Sequence, residues 1–340
     1  MRYPEFLPEK GTIGLVAPSF GVSGFPYRNR FDLAKEKLEK KGHAIIESGH
    51  LFGIEKAASA DGKTRAEEFM DMYERRDVDF VSSVAGGELM CQMLQYVDFE
   101  RIRKDEPKWF MGLSDNTHLT YTLPVLCDVA AMYGYCFSGF GMRRWHRSFK
   151  EAYEIMRGQR LSQEGYKYYE KKTGLPCEPG HEFDGFNLKK KTDHRSLSGH
   201  DEHFSGRLIG GCLDVLVEMC GTKYDRTVDF CRKYKDDGIL WYLEACDLNV
   251  LSISRALWQL REAGWFENVS GIIIGRPVFG DELFGLTYEE MLKDNLGDLN
   301  VPVVYGCDFG HVAPNWCIIS GSIGNVSLEN GECRINYELR

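Results

Sequence analysis

Three residues in this 340-residue chain have the types an acyl-transfer site needs, and each follows a short apolar run. Ser114 comes after Trp109-Phe110-Met111-Gly112-Leu113, Glu244 ends Ile239-Leu240-Trp241-Tyr242-Leu243, and His311 closes Asp308-Phe309-Gly310-His311. A serine becomes a nucleophile when a base lies within hydrogen-bond reach, and an imidazole base needs a carboxylate to fix its tautomer and stabilise the imidazolium. Each residue also has a plainer reading. Ser114 can be a helix N-cap, Glu244 can cap a turn, and His311 can bond within its own loop. The stretch Gly112-Leu113-Ser114-Asp115-Asn116 departs from the nucleophile elbow Gly-x-Ser-x-Gly, with Asn116 where the last glycine belongs.

The elements that would position these groups are legible from periodicity. Thr12-Ile13-Gly14-Leu15-Val16 reads as a buried strand, and Phe31, Ala34 and Leu38 mark one face of a helix over residues 27–41 that Gly42 closes. Ala44-Ile45-Ile46 reads as a second strand. Thr64-Arg65-Ala66-Glu67 has capping-box spacing ahead of a helix through Phe69, Met70 and Tyr73. Val78 to Val84 is a strand running into Ala85-Gly86-Gly87, with a helical pattern from Leu89 to Leu94. That Gly-Gly turn is either a tight connection or a place where backbone N–H groups approach an oxyanion.

The run ending at Ser114 is a further strand, followed by a helix through Leu126 that Pro124 bends or ends, and a strand near Tyr133 to Phe137. Strands alternating with helices predict a parallel sheet covered on both faces, with ligands at the strands' carboxyl ends. The glycines after the first strand do not form Gly-x-Gly-x-x-Gly, which disfavours a dinucleotide site.

Periodicity weakens between about Met142 and Gly206. Lys150 to Arg157 continues a helix, but Gly165-Tyr166-Lys167-Tyr168-Tyr169, Lys171-Lys172, Gly174-Leu175-Pro176 and Lys189-Lys190-Lys191 read as a linker with an exposed loop. Its tyrosines either stack on a ligand or pack within the loop. Order returns at Leu208-Ile209-Gly210-Gly211, read as opening a helix through Leu216 and Met219. A strand to Glu244, a helix over Val250, Ile253, Leu257 and Leu260 closed by Gly264, and strands at residues 271–274 and 301–305 follow. Short strands at residues 316–320, 323–328 and 333–337 complete the chain. The expected division is residues 1–145, an N-terminal α/β domain; 146–205, the linker and loop; and 206–340, a C-terminal domain.

Composition narrows the function. With 43% hydrophobic and 27% charged residues the chain reads as globular. A formal charge of -9 without a basic stripe argues against nucleic acid as a partner. The N-terminus is broken by charges and prolines, and no apolar run is long enough to span a membrane, so a cytoplasmic location is expected. The 11 cysteines are scattered without a Cys-x-x-Cys pair, which favours reduced buried thiols over disulfides or zinc. A cysteine nucleophile stays open, with Cys246 nearest a candidate acid.

Gly112-Leu113-Ser114-Asp115, Leu243-Glu244 and Asp308-Phe309-Gly310-His311-Val312-Ala313-Pro314, with the opening Gly11 to Ser19 and the Gly210-Gly211 turn, resemble the LD-carboxypeptidase family of serine peptidases. That family includes murein tetrapeptide carboxypeptidases and microcin C immunity proteins. The resemblance spans nearly the whole chain in the order Ser, Glu, His. It implies Ser114 as nucleophile, His311 as general base and then acid, Glu244 as the group orienting His311, and an oxyanion hole from the N–H groups of Gly87 and Asp115. It also implies an N-terminal parallel-sheet α/β domain and a C-terminal β-rich α/β domain with the site in the cleft, a homodimer, and no metal or other cofactor. Leu113 replaces an aromatic common in relatives, and Glu88-Leu89-Met90 departs from their pattern, which bears on specificity.

The expected reaction is hydrolysis of the L,D bond before the terminal D-alanine of a murein tetrapeptide in cell-wall recycling, through an acyl-enzyme. The alternative is cleavage of peptidyl or aminoacyl nucleotides, as in microcin C immunity. Residues 149–240 contain no tryptophan to act as a nucleobase platform, although tyrosine can also stack. A non-enzymatic binding protein for a small ligand is the contrasting class.

Overall fold

The computed structural model describes residues 1–171 and 174–340; Lys172 and Thr173 lie outside the described residues. The chain divides into two units, residues 1–160 with 174–186, and residues 161–173 with 187–340. Both are α/β.

In unit 1 the elements are β1 (Thr12–Val16), α1 (Tyr27–Lys40), β2 (Ala44–Glu47), α2 (Gly62–Glu74), β3 (Phe80–Ser83), α3 (Phe99–Lys104), β4 (Trp109–Gly112), α4 (Thr117–Thr122), β5 (Ala131–Tyr133) and α5 (Arg147–Met156). These strands pair in parallel in the order 2-1-3-4-5. Reversal of strand order between β1 and β3 opens a crevice at their carboxyl ends, the place where such sheets bind ligands. Helix α1 buries Phe31, Ala34 and Leu38 as its pattern predicts, and Gly42 follows with φ +96°. Helix α2 begins earlier than Thr64, because Asp61 is the cap and accepts the N–H groups of Lys63 and Thr64. Its Phe69 packs in one core with Val81, Phe110, Leu119 and Leu123. Each such side chain contributes about 1.5–3 kcal/mol by burial.

Past α4 the chain widens into a looser turn over Leu123–Cys127 that contains Pro124. Proline cannot donate to the preceding turn, so the regular helix stops at Thr122. Strand β5 also ends earlier than its apolar run, at Tyr133.

Unit 2 contains β6 (Ser162–Glu164), β7 (Tyr168–Tyr169), β8 (Lys190–Lys191), β9 (Arg195–Ser196), β10 (Glu202–Cys212), α6 (Leu213–Met219), α7 (Thr227–Lys233), β11 (Ile239–Glu244), α8 (Val250–Glu262), β12 (Val269–Gly275), α9 (Tyr288–Leu296), β13 (Val303–Cys307), β14 (Ile318–Ser320), β15 (Ile323–Glu329) and β16 (Glu332–Glu338). An eight-stranded sheet runs β6-β16-β15-β10-β11-β12-β13-β9. Strands β10 to β13 are parallel, and β15, β16 and β6 continue it antiparallel. Leu208 to Gly211 therefore belong to a strand and not to a helix start. Gly210 lies so close to β11 that a Cβ there would sit 1.8 Å from the Tyr242 carbonyl oxygen. Helix α6 begins only at Leu213.

Candidate active site

In unit 1, Ser114 is the second residue past the end of β4 and has φ +68°. A left-handed backbone at a residue other than glycine stores strain and turns the side chain out of the run of the strand. The Ser114 N–H donates to the Tyr133 hydroxyl at 3.3 Å. Asn116 braces the turn, its Nδ2 donating to the carbonyls of Ala85 and Leu113 at 2.9 Å each. Its side chain fills the space over Gly112, where a Cβ would meet Asn116 Cγ at 2.5 Å. The elbow's missing glycine is thus replaced by an amide that ties it to the loop after β3.

That loop carries Gly86 and Gly87. A Cβ on Gly86 would lie 3.0 Å from Ser114 Cβ, so glycine lets this backbone approach the serine. Gly87 has φ +154°, and a Cβ there would stand 2.1 Å from Ser19 Oγ. The Asp115 carboxylate accepts the Met90 N–H at 2.9 Å and a short bond from the Ser19 hydroxyl. His118 Nδ1 lies 3.0 Å from its other oxygen. Burial works against the Asp115 charge, but His118, Ser19 and the Met90 N–H outweigh it and hold the carboxyl below its ordinary range. The β1, β3 and β4 loops are therefore knotted around one buried carboxylate beside Ser114.

In unit 2 the carboxyl ends of four neighbouring parallel strands deliver Cys212, Glu244, Arg276 and Asp308. Glu244, the last residue of β11, is 1% exposed, and its Oε2 lies 2.9 Å from His311 Nδ1. The close approach depends on Gly310, which has φ +104° and where a Cβ would sit 2.7 Å from that same oxygen. Burial disfavours the charged imidazole, yet the Glu244 carboxylate and a bond to the Cys246 thiol lift His311 well above its ordinary value.

The loop bearing His311 is braced from beneath. Arg276 donates to Asp308 Oδ1 at 2.6 Å, to the Gly306 carbonyl at 3.1 Å and to the Val312 carbonyl at 3.3 Å. Asp308 Oδ2 lies 2.8 Å from His194 Nε2 and accepts the Tyr166 N–H at 2.8 Å. On the other side, the Asp214 carboxylate accepts the N–H groups of Cys246, Asp247 and Leu248, fixing the turn that follows Glu244. Cys212 completes the cluster, since one ligand atom each of Cys212, Glu244 and His311 lie within 4.8 Å of one another.

The structure gathers Ser114, Gly87 and Asp115 in unit 1 and pairs Glu244 with His311 in unit 2. Sequence reading missed the carboxylates of Asp115, Asp214 and Asp308, the guanidinium of Arg276, and His194. Asp308 had a signal in Asp308-Phe309-Gly310-His311; the others are ordinary polar residues in sequence. Of the linker tyrosines, Tyr166 is buried and Tyr169 lies against Arg276, so these two pack within the unit.

The LD-carboxypeptidase N-terminal domain matches residues 13–134, and the LD-carboxypeptidase C-terminal domain matches residues 205–326. This chain belongs to the LD-carboxypeptidase family. It is similar to the Escherichia coli microcin C7 self-immunity protein MccF, at 24% identity over 92% of this chain and 89% of that one. It is also similar to the Pseudomonas aeruginosa murein tetrapeptide carboxypeptidase, at 22% identity over 91% and 90% of the two chains. The fold matches that of MccF solved in complex with aspartyl sulfamoyl adenosine, with a TM-score of 0.83 at 21% identity and all of both chains covered. As an LD-carboxypeptidase family member the protein is a hydrolase of the peptidase class. No helix among its described residues is long and apolar enough to cross a membrane.

Proposed function

We propose that this LD-carboxypeptidase is a serine enzyme in which Ser114 attacks the scissile carbonyl carbon and His311 takes the hydroxyl proton. Glu244 holds Nδ1 of the imidazole, so that Nε2 takes the proton, and stabilises the imidazolium that results. The N–H groups of Gly87 and Asp115 receive the oxyanion, the leaving amine takes the proton from His311, and water then hydrolyses the acyl-enzyme by the same steps in reverse. The observation that carries this reading is the left-handed Ser114 at a strand's carboxyl end, beside a glycine turn so near that a Cβ on Gly86 would lie 3.0 Å from Ser114 Cβ.

The favoured substrate is a murein tetrapeptide, cleaved at its L,D bond before the terminal D-alanine, as the Pseudomonas relative's name supports. Peptidyl or aminoacyl nucleotides are the second reading, supported by the ligand on the structurally similar MccF. We further read the protein as a cytoplasmic homodimer; 11 free cysteines, six of them buried, suit a reducing compartment.

Mass spectrometry of wild type and Ser114→Ala with each substrate tests the proposal. Wild type should release D-alanine from the tetrapeptide, and the variant should lose on the order of 10⁴–10⁶-fold in turnover. Cleavage of the nucleotide alone would move the substrate and keep the mechanism. Full turnover by the variant would overturn the mechanism, and binding without turnover by wild type would make this a binding protein.

A further inference from the structure

We propose that Cys212, Glu244 and His311 form a binding site for a thiophilic divalent cation of the Zn²⁺ or Cd²⁺ type, and that occupancy switches the enzyme off. Cation binding stands on geometry alone; the inhibition rests on the proposed role of His311.

Cys212 and Glu244 end adjacent parallel strands and are partners in register. Neighbouring residues across a parallel pair project from the same face, so the sheet itself aims thiol and carboxylate at one point. The glycine loop brings His311 to that point, 2.9 Å from Glu244. The three ligand atoms lie within 4.8 Å of one another. Tetrahedral zinc, with bonds of about 2.0–2.3 Å to nitrogen, oxygen and sulfur, holds its ligands roughly 3.5 Å apart, so closure asks for side-chain movements of about 1 Å.

The donor set suits such an ion chemically. A thiolate selects soft cations over Mg²⁺ or Ca²⁺, and imidazole suits zinc. The Cys212 thiol donates to Asp214 Oδ2 at 3.3 Å, so once the ion takes the thiolate, that carboxylate stands beside it and adds to the negative charge of the Cys212 and Glu244 ligands around the neutral imidazole. Cys212 is 2% and Glu244 1% exposed, where a cation without such counter-charge is costly. Binding releases the Cys212 thiol proton to solvent and forms the metal–sulfur bond. The ion would claim the Glu244 oxygen that faces His311, and with it the pairing that orients the base.

The test uses the purified full chain, Cd²⁺ as probe, and Cys212→Ser beside Cys246→Ser and Cys91→Ser/Cys177→Ser. Wild type should show an ultraviolet thiolate-to-cadmium charge-transfer band saturating with one ion, competed by Zn²⁺. Cys212→Ser should lose that band and bind at least tenfold more weakly, while the other two variants keep it. Circular dichroism establishes that Cys212→Ser is folded, and Cys212→Ala serves if it is not. In the peptidase assay Zn²⁺ should abolish wild-type turnover, and the Zn²⁺ concentration that halves turnover, read against each protein's own metal-free rate, should rise at least tenfold in Cys212→Ser. A band unchanged in Cys212→Ser, or lost only in Cys246→Ser, would overturn the site. A protein that binds Cd²⁺ through Cys212 but hydrolyses neither substrate would keep the cation site and refute the peptidase reading.

Discussion

The Asp115 carboxylate accepts the backbone N–H of Met90 at 2.9 Å, so the residue after Ser114 anchors the loop that begins at Gly86-Gly87. Ser19 donates to the same oxygen. Asp115→Ala leaves buried donors without an acceptor, at a cost of about 1–3 kcal/mol each. If Gly87 supplies an oxyanion donor, its displacement lowers kcat with little change in KM. Urea denaturation together with steady-state kinetics separates the two effects. A destabilised variant with wild-type kcat would show that the anchor serves folding alone.

Glu244→Gln keeps the shape of the His311 partner and removes its charge. If the proposed triad operates, the expected loss in kcat is on the order of 10⁴-fold, as where a triad carboxylate becomes an amide. If His311 is the base it works as neutral imidazole, so kcat/KM should rise with pH through a value well above the ordinary 6.5 of histidine. Without the carboxylate that rising limb moves to lower pH. For stability the sign is the same as for any raised histidine: the pair's contribution is complete below pH 6.5 and is lost as pH climbs through the raised value. A pH–rate profile whose limb stays in place would refute Glu244 as the group that sets it.

Asp308→Asn breaks a buried ion pair with Arg276, which is 7% exposed. Leaving that guanidinium without its counter-charge costs about 3–5 kcal/mol. The His311 loop loosens with it, because Arg276 also holds the Val312 carbonyl. The partner His194 is buried, which opposes its charge, but Asp308 raises it above 6.5. Its contribution is therefore present below pH 6.5 and lost as pH rises through the raised value. His194→Gln should lower the melting temperature more at acid than at alkaline pH. Equal losses at both would show that His194 acts by packing.

Phe284 and Gly285 form the two-residue turn between Leu283 and Leu286, with φ +52° and +82°. Such turns favour asparagine and glycine, and the phenylalanine is 95% exposed. Phe284→Asn should therefore stabilise unit 2 by about 1 kcal/mol through relief of backbone strain. Thermal melting checks this. A lower melting temperature would mean that the ring is held by contacts stronger than its strain.

Much of the scaffold was legible because it is written in local pattern. The α1 face at Phe31, Ala34 and Leu38, the strand ending on Glu244 and the helix closed by Gly264 follow from periodicity and glycine punctuation, which act within a few residues. Two readings went astray where a distant partner decides. Leu208 to Gly211 read as the opening of an apolar helix through Leu216 and Met219, but pairing with Leu240 to Glu244 on the neighbouring strand holds the backbone extended through Cys212. Thr64 had the spacing of a capping box, while Asp61 three residues earlier takes the N–H groups.

Alone, then, the sequence determined the alternation of strands and helices, the family, and the candidates Ser114, Glu244 and His311, since those depend on residue type and near-neighbour spacing. Tertiary structure decided what surrounds them. It set the left-handed backbone of Ser114, put His311 against a carboxylate 67 residues away in the chain, and brought Asp308 to Arg276 and Cys212 to Glu244. The reason is physical. A buried charge or thiol takes its character from groups within a few ångströms, and strand register chooses those groups from anywhere along the chain.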